Sequence, residues 1–317
     1  MHNNFCIIDI GTNAVKCKIF SDGQYFTLRN KYLTSSGYDN LKEDEILNYL
    51  QEFAAEAKTK NVEMDKVYIC ATEGFRTSAN QREIRELVFE KMGRKIHIIS
   101  KQREALLSFL GAMVEIPKEK RPTQNVLYIE SGGGSTEMSL VDISCRPLKM
   151  IATVSMPLGS KRVHTAENNE DFKMAVKDFL NQIESKNFVI DKPLACVINS
   201  TSAARIIAAQ YHPQYFDAKT TMLKQARMSM LRFRAALNNI AHNNFHTEEY
   251  WLKERDYEGF KNHCYIFRSL FFELQNQKFP LSNVSVTTSV GGVKDGACYM
   301  AERVHPSEIE KKVFGRE

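Results

Sequence analysis

Short apolar runs of strand length, each followed by a turn, open both halves of the chain. Phe5 to Ile8 is such a run and ends on Asp9. Ile10, Gly11, Thr12 and Asn13 follow, and Val15 to Phe20 is a second strand. The same order returns later. Val126, Leu127, Tyr128 and Ile129 end on Glu130. Ser131, Gly132, Gly133, Gly134, Ser135, Thr136 and Glu137 then lead to a short strand, Met138 to Val141. A glycine-rich hairpin with no ligand accounts for one such loop. Two loops with the same acid-then-glycine order predict a duplicated fold, with two phosphate loops facing across a cleft.

Between these hairpins, Tyr25 to Arg29 and Tyr32 to Ser35 pattern as antiparallel strands, separated by Asp22-Gly23 and Arg29-Asn30-Lys31. Ile46, Leu47, Leu50, Phe53, Ala54 and Ala57 recur at helical spacing, which predicts a helix over 43–60. Lys66 to Ala71 is a buried strand. A polar loop, Thr72 to Asn80, lies at its carboxyl end, where α/β folds bind ligands. Helices are predicted over 81–92 and 102–114, with a strand over 95–99 between them. Pro117 to Pro122 is charged and proline-bracketed and reads as a hinge. It divides a first domain, 1–122, from a second, 123–317.

The second domain continues with a strand over 148–156, a basic turn from Pro157 to Arg162, a helix over 170–186 and a strand over 195–198. Asn199 to Ser202 caps a helix through Gln210. A helix over 220–239 carries Lys224, Arg227, Arg232 and Arg234, with Arg227 and Arg234 on one face as a solvated surface or an anion track. Tyr257 to Asn276 is a long helix. Val284 to Thr288 is a strand that leads into a glycine turn, Ser289 to Gly296, and a last helix from Ala297.

Composition narrows the class. The 317 residues allow two separate cores, and 43% hydrophobic and 26% charged content is that of an ordinary soluble globular chain. A net charge of +5 suits an anionic ligand but is too small to argue for nucleic acid. Seven cysteines without a Cys-x-x-Cys pair imply buried, reduced thiols and a cytoplasmic location. No apolar run approaches a membrane span, and no signal peptide is evident. His242 and His246 are four apart, but Asn243 stands where a zinc protease needs Glu, so zinc is discounted.

The candidate chemistry is anionic-ligand chemistry. Glycine lets backbone approach a ligand closely, and successive N–H groups in such turns form anion-binding concavities. Ser135 and Thr136 add hydroxyl donors, and Glu130 could hold a cation that neutralises phosphate. Arg76 could clamp a phosphate, although a surface ion pair is the ordinary role of a lone arginine. Glu104 lies in the first turn of its helix, where an acid commonly complements the helix dipole.

These residues together resemble the exopolyphosphatase and guanosine-pentaphosphate phosphohydrolase family of the actin, sugar kinase and Hsp70 superfamily. The likeness runs along most of the chain. It covers Ile8 to Asn13, Ala71-Thr72 through Arg76 to Asn80, Ile99-Ser100 with Glu104-Ala105-Leu106, Gly132 to Glu137, Pro157-Leu158-Gly159 with Arg162, and Gly291 to Gly296. The resemblance implies an α/β fold of two ribonuclease H-like domains with an interdomain cleft, the last helix, about 297–317, packing back on the first domain. It implies hydrolysis of a terminal phosphoanhydride with Mg²⁺, in which Glu104 deprotonates water, Arg76 takes phosphoryl charge and Glu137 orders the water or metal shell. Asp9 and Glu130 would hold the metal. Gly11, Thr12, Asn13, Gly132, Gly133, Gly134, Ser135, Thr136 and Lys294 would bind phosphate. Inorganic polyphosphate is the leading substrate, with guanosine pentaphosphate or a non-catalytic binding role as alternatives, and a homodimer left open.

Departures from that pattern bear on rate and substrate. Glu130 and Ser131 stand where the family has Asp and then Ile or Leu. Ala14 replaces a serine, Lys294 an arginine and Asp295 a glutamate, and Asn199 to Ser202 replaces a glycine-rich turn.

Overall fold

The computed structural model describes residues 4–34, 40–163, 169–186, 188, 194–211, 216–217, 222–223, 226–242, 257–281 and 284–315. The chain forms two compact units, Met1–Val114 with Gly291–Glu317, and Glu115–Val290. The sequence pattern puts the boundary at 122, and the family resemblance implies that the last helix, about 297–317, packs back on the first domain. In the structure the segment from Gly291 returns to the first unit.

The first unit contains β1 (Phe5–Ile10), β2 (Ala14–Ser21), β3 (Gln24–Thr27), β4 (Lys31–Tyr32), α1 (Glu43–Thr59), β5 (Val67–Ala71), α2 (Glu73–Arg76), α3 (Gln81–Met92), β6 (Ile96–Ile98) and α4 (Lys101–Glu115). The second contains β7 (Asn125–Ser131), β8 (Thr136–Asp142), β9 (Lys149–Met156), α5 (Asn169–Ser185), β10 (Cys196–Asn199), α6 (Ser202–Tyr211), β11 (Phe216–Asp217), β12 (Met222–Leu223), β13 (Arg227–Ser229), α7 (Met230–His242), α8 (Tyr257–Asn276) and β14 (Ser285–Thr288). The last helix, α9 (Val293–Ala301), belongs to the first unit.

The two main sheets repeat one topology. The first runs β3-β2-β1-β5-β6, with β4 on β2. The second runs β9-β8-β7-β10-β14, with β13 added at its end. In each, the first three strands in sequence pair antiparallel in order, a later strand joins parallel to the first, and another joins parallel to that one. Duplication is thus visible in pairing as well as in loop sequence. The β2–β3 connection is a tight turn in which Asp22 and Gly23 both have positive φ, the conformation two-residue hairpins need.

The central strands of each sheet are buried on both faces, which is why they read as continuous apolar runs. Along β1, Cys6, Ile8 and Ile10 join a core with α1 and α3 residues such as Leu50, Phe53 and Val88. The alternate residues Phe5 and Ile7 join Val293, Ala297, Ile309 and Phe314 from the carboxyl segment. In the second unit, strand residues such as Leu127, Ile129 and Val197 pack with Phe172 and Phe179 of α5, Ile207 of α6, Phe233 of α7 and Phe267 and Phe271 of α8. Among the described residues, no helix is long and apolar enough to cross a membrane.

Three predicted elements differ. The Thr72–Asn80 loop winds Glu73–Arg76 into a helical turn. The helix predicted over 220–239 begins only at Met230. Arg227 to Ser229 pairs antiparallel with β14, because residues 226–229 alternate buried and exposed in strand fashion. Ser229 Oγ then accepts from Arg232 N–H (3.3 Å), the capping bond that starts α7. Arg227 and Arg234 therefore do not share a helix face. Finally, α9 starts at Val293 rather than Ala297, since the Asp295 carboxylate reaches back to accept from the Gly292 N–H (3.0 Å) at the helix start. Lys224, Asn243 and His246 lie outside the described residues.

Candidate active site

The two hairpins match residue for residue. In the first, Asp9 stands opposite Lys16 and Ile10 opposite Val15, and Gly11 N–H donates to Ala14 O (3.0 Å). In the second, Glu130 stands opposite Glu137 and Ser131 opposite Thr136, and Gly132 N–H donates to Ser135 O (2.8 Å). Thr12-Asn13 is therefore the structural counterpart of Gly133-Gly134, and Lys16 of Glu137. The Gly11 and Gly132 N–H groups close the turns themselves. The charges differ: Asp9 faces a lysine 3.8 Å away, whereas Glu130 faces a second carboxylate.

In the first unit, α2 rests on the Thr12 loop. A Cβ on Gly74 would lie 2.6 Å from Thr12 Oγ1 and 2.8 Å from its Cα, so only glycine allows this approach. That contact sets α2 and hence Arg76, whose guanidinium reaches two acids. Nε and Nη2 donate to Glu73 Oε2 (3.2 and 2.6 Å), Nη2 also to Glu104 Oε2 (2.9 Å), and Nη1 to Ile99 O. Burial alone would lower the Arg76 pKa, but Glu104 and Glu73 outweigh it and raise it. Glu104 is buried in the first turn of α4, where Ser100 Oγ accepts from Arg103 N–H. Cys70 of β5 lies nearby. It stands opposite Asp9 in the sheet, and burial first, then Asp9, Cys298 and Glu104, push its thiol well up.

In the second unit, the glycine loop is braced from behind. Ser160 N–H and Lys161 N–H donate to the Gly132 and Gly133 carbonyls (2.9 and 3.0 Å). A Cβ on Gly159 would lie 2.3–2.4 Å from Gly133 and Gly134 backbone atoms. Helix α8 supports that turn: Asn262 Nδ2 donates to Ser160 O (2.7 Å). His263 Nδ1 lies 3.0 Å from Ser131 Oγ, which lies 2.8 Å from Thr136 Oγ1. Thr136 Oγ1 donates to Leu158 O (2.6 Å). Thr136 and Ser131 are thus buried braces of the loop. Nothing in the sequence marks Asn262 and His263 as belonging here, because their partners lie 102 and 132 residues away.

Tyr128 OH donates to Glu130 Oε2 (3.0 Å) and lies 2.8 Å from Ser200 Oγ. Burial, and after it Glu130, hold this phenol well above its usual pKa, so it stays a donor. Ser155 Oγ donates to Glu137 Oε1 (3.0 Å). Lys294 is buried in the first turn of α9, where its Nζ donates to Asp295 Oδ2 (2.7 Å) while Lys18 Nζ donates to Asp295 Oδ1 (2.7 Å).

The model of the Ppx/GppA phosphatase family matches residues 7–182, which hold both hairpins and the Arg76–Glu104 pair. The chain belongs to this family. An exopolyphosphatase from Cytophaga hutchinsonii has the same fold, with a TM-score of 0.67 at 18% identity over 96% of this chain and 99% of that one. A Ppx/GppA enzyme from Aquifex aeolicus superposes with a TM-score of 0.63 at 20% identity, covering 94% and 99%. The fold is therefore the α/β, actin-like two-domain fold of Ppx/GppA structures. A bifunctional 3-dehydroquinate synthase/phosphatase of Fusobacterium nucleatum is 27% identical over 212 residues, 57% of this chain. The chain spans 31% of that relative's length.

Membership in a phosphatase family raises the question of a metal. Among the described residues, no group of three or more His, Cys, Asp or Glu is arranged to hold one. Yet Glu130 and Glu137 stand directly opposite on neighbouring strands, where like charges repel. A hard divalent cation that takes one or two carboxylates and completes its shell with phosphate oxygens and water fits this pair. Asp9 is buried in the first hairpin, with Lys16 Nζ 3.8 Å from its Oδ2.

Proposed function

We propose that the protein is a phosphoanhydride hydrolase that releases orthophosphate from the ends of inorganic polyphosphate, with Glu104 as general base. The observation that carries the reading is the buried Glu104 carboxylate held 2.9 Å from the Arg76 guanidinium. Family membership, the two matched glycine hairpins and the net charge of +5 support it.

In this reading Glu104 accepts a proton as water oxygen attacks the terminal phosphorus and the bridging P–O bond breaks. A shortened chain and orthophosphate result. Phosphoryl transfer needs little covalent help from the protein and depends on positioning and charge. The loops at Thr12-Asn13 and Gly133-Gly134, with Ser135, hold phosphate oxygens, and Glu137 orders the water. Mg²⁺ held by Glu130 and Glu137 would neutralise phosphate charge. Arg76 has five N–H groups, four of them directed at Glu73, Glu104 and Ile99, so its larger part is to orient the base.

The test is phosphate release from long-chain polyphosphate and from guanosine pentaphosphate with Mg²⁺, for wild type and Glu104→Gln. A loss of about 10²–10⁴-fold in the variant is expected for a missing general base. Equal rates would remove Glu104 from the role. Faster turnover of the nucleotide at equal end concentration would move the substrate assignment, and tight binding without turnover in Mg²⁺ or Mn²⁺ would make the protein a binder.

A further inference from the structure

Glu73 is 3% exposed and has no part in the chemistry above. A carboxylate this deep is costly unless paired. Its partner is Arg76, gripped through both Nε and Nη2 at one carboxylate oxygen. The same Nη2 continues to Glu104, and Nη1 is tied to the Ile99 carbonyl. The guanidinium is therefore a rigid spacer between two acids. Its plane is fixed by Glu73 and the Ile99 carbonyl, so the direction from which it meets Glu104 is fixed too.

The charge balance gives Glu73 a second effect. Arg76 is shared by two carboxylates, so its charge is divided between Glu73 and Glu104. An undivided arginine within hydrogen-bond distance depresses a carboxylate by about 1–3 pH units, which weakens it as a base. Asp9 of β1 and Glu104 both act on Cys70 of β5, and Asp9 is unaltered when Glu73 changes.

We infer that Glu73 is a positioning residue, which sets the orientation and the basicity of Glu104 through Arg76. The inference rests on Glu104 being the base. Glu73→Gln should lower kcat roughly 10–100-fold, as small misplacements of a reacting group do, with KM unchanged. Its acid limb of kcat/KM should move down by about one pH unit, because Arg76 then acts on Glu104 alone. Glu73→Asp keeps the charge but not the reach. It should lower kcat and leave the limb where it is in wild type.

Carboxyl ¹³C NMR of glutamate-labelled protein, with Glu104 assigned by Glu104→Gln, reads the same midpoint without turnover. A lower Glu104 midpoint in Glu73→Gln supports the inference. It does so even if wild type hydrolyses neither substrate, an outcome that would sink the catalytic reading alone. An unchanged midpoint overturns the inference. Should Glu73→Gln fail to fold, wild-type kcat in Glu73→Asp overturns it.

Discussion

Gly111 in α4 and Gly291, just ahead of α9, meet backbone to backbone. A Cβ on Gly291 would lie 2.0 Å from Gly111 O, and one on Gly111 would lie 2.1 Å from Gly292 O. Gly296 completes the contact, since its Cβ would lie 1.9 Å from Leu107 O. Main-chain atoms cannot swing aside as a flexible side chain can. The depth of α4, and with it the position of Glu104, is therefore set by three missing methyl groups.

Gly111→Ala should destabilise the protein by about 1–3 kcal/mol, the usual cost of overpacking, and reduce phosphate release per folded molecule by displacing α4. Urea unfolding and an activity assay on the folded fraction read the two effects separately. Gly93→Ala is the comparison. Gly93 ends α3 at φ +64° with no atom within 4 Å of its missing Cβ, so its cost of about 1 kcal/mol is purely conformational. Activity per folded molecule should be unchanged in Gly93→Ala. A full-rate Gly111→Ala would show that α4 tolerates displacement.

A second prediction concerns the buried Lys18–Asp295–Lys294 cluster. Burial alone would raise the Asp295 pKa, but Lys294 and Lys18 outweigh it and hold the carboxyl below its usual 3.8. A carboxylate depressed on folding contributes stability that is complete above its unfolded pKa and is lost as pH falls through the folded one. Acid unfolding of the first unit should thus draw on Asp295 below about pH 4. Asp295→Asn should remove that dependence. At pH 7 it should cost about 3–5 kcal/mol, because two buried ammonium groups lose their partner. An Asp295→Asn protein as stable as wild type at neutral pH would dispose of the argument.

Much of this was written in local pattern. The hairpins at Asp9 and Glu130 follow from acid-then-glycine turns between apolar runs, and α8 follows from helical spacing over Tyr257–Asn276. Long-range placement was not readable. Residues 226–229 become an edge strand because β14 lies beside them, and no local propensity specifies that neighbour. The support of Ser131 by His263, and of Ser160 by Asn262, joins residues more than a hundred positions apart. Glu73 looked like an ordinary polar loop residue, since only the fold brings Glu104 to the other side of Arg76.

The Gly159 contact gives a prediction about binding. Its Cβ would collide with Gly133 and Gly134, the centre of the second loop. Gly159→Ala must shift that loop or the Pro157–Arg162 turn, while the sheet beneath is untouched. The expected result is weaker tripolyphosphate binding, roughly tenfold or more by calorimetry, and a raised KM. Wild-type affinity in Gly159→Ala would separate the loop from phosphate binding.

The last prediction turns on the opposed pair Glu130 and Glu137. Two carboxylates directly across neighbouring strands destabilise each other by a few tenths to about 1 kcal/mol unless a cation lies between them. Glu137→Gln removes one charge yet keeps an oxygen for the Ser155 hydroxyl, which donates to Glu137 at 3.0 Å. In EDTA the variant should therefore be more stable than wild type. In millimolar Mg²⁺ the order should shift toward wild type, because a ligand that binds only the folded state stabilises it in proportion to its affinity. Thermal unfolding with and without Mg²⁺ reads this independently of turnover. A function that costs stability is the ordinary signature of a site built to hold something charged. If Mg²⁺ raises the two melting temperatures equally, the cation is not held between these glutamates.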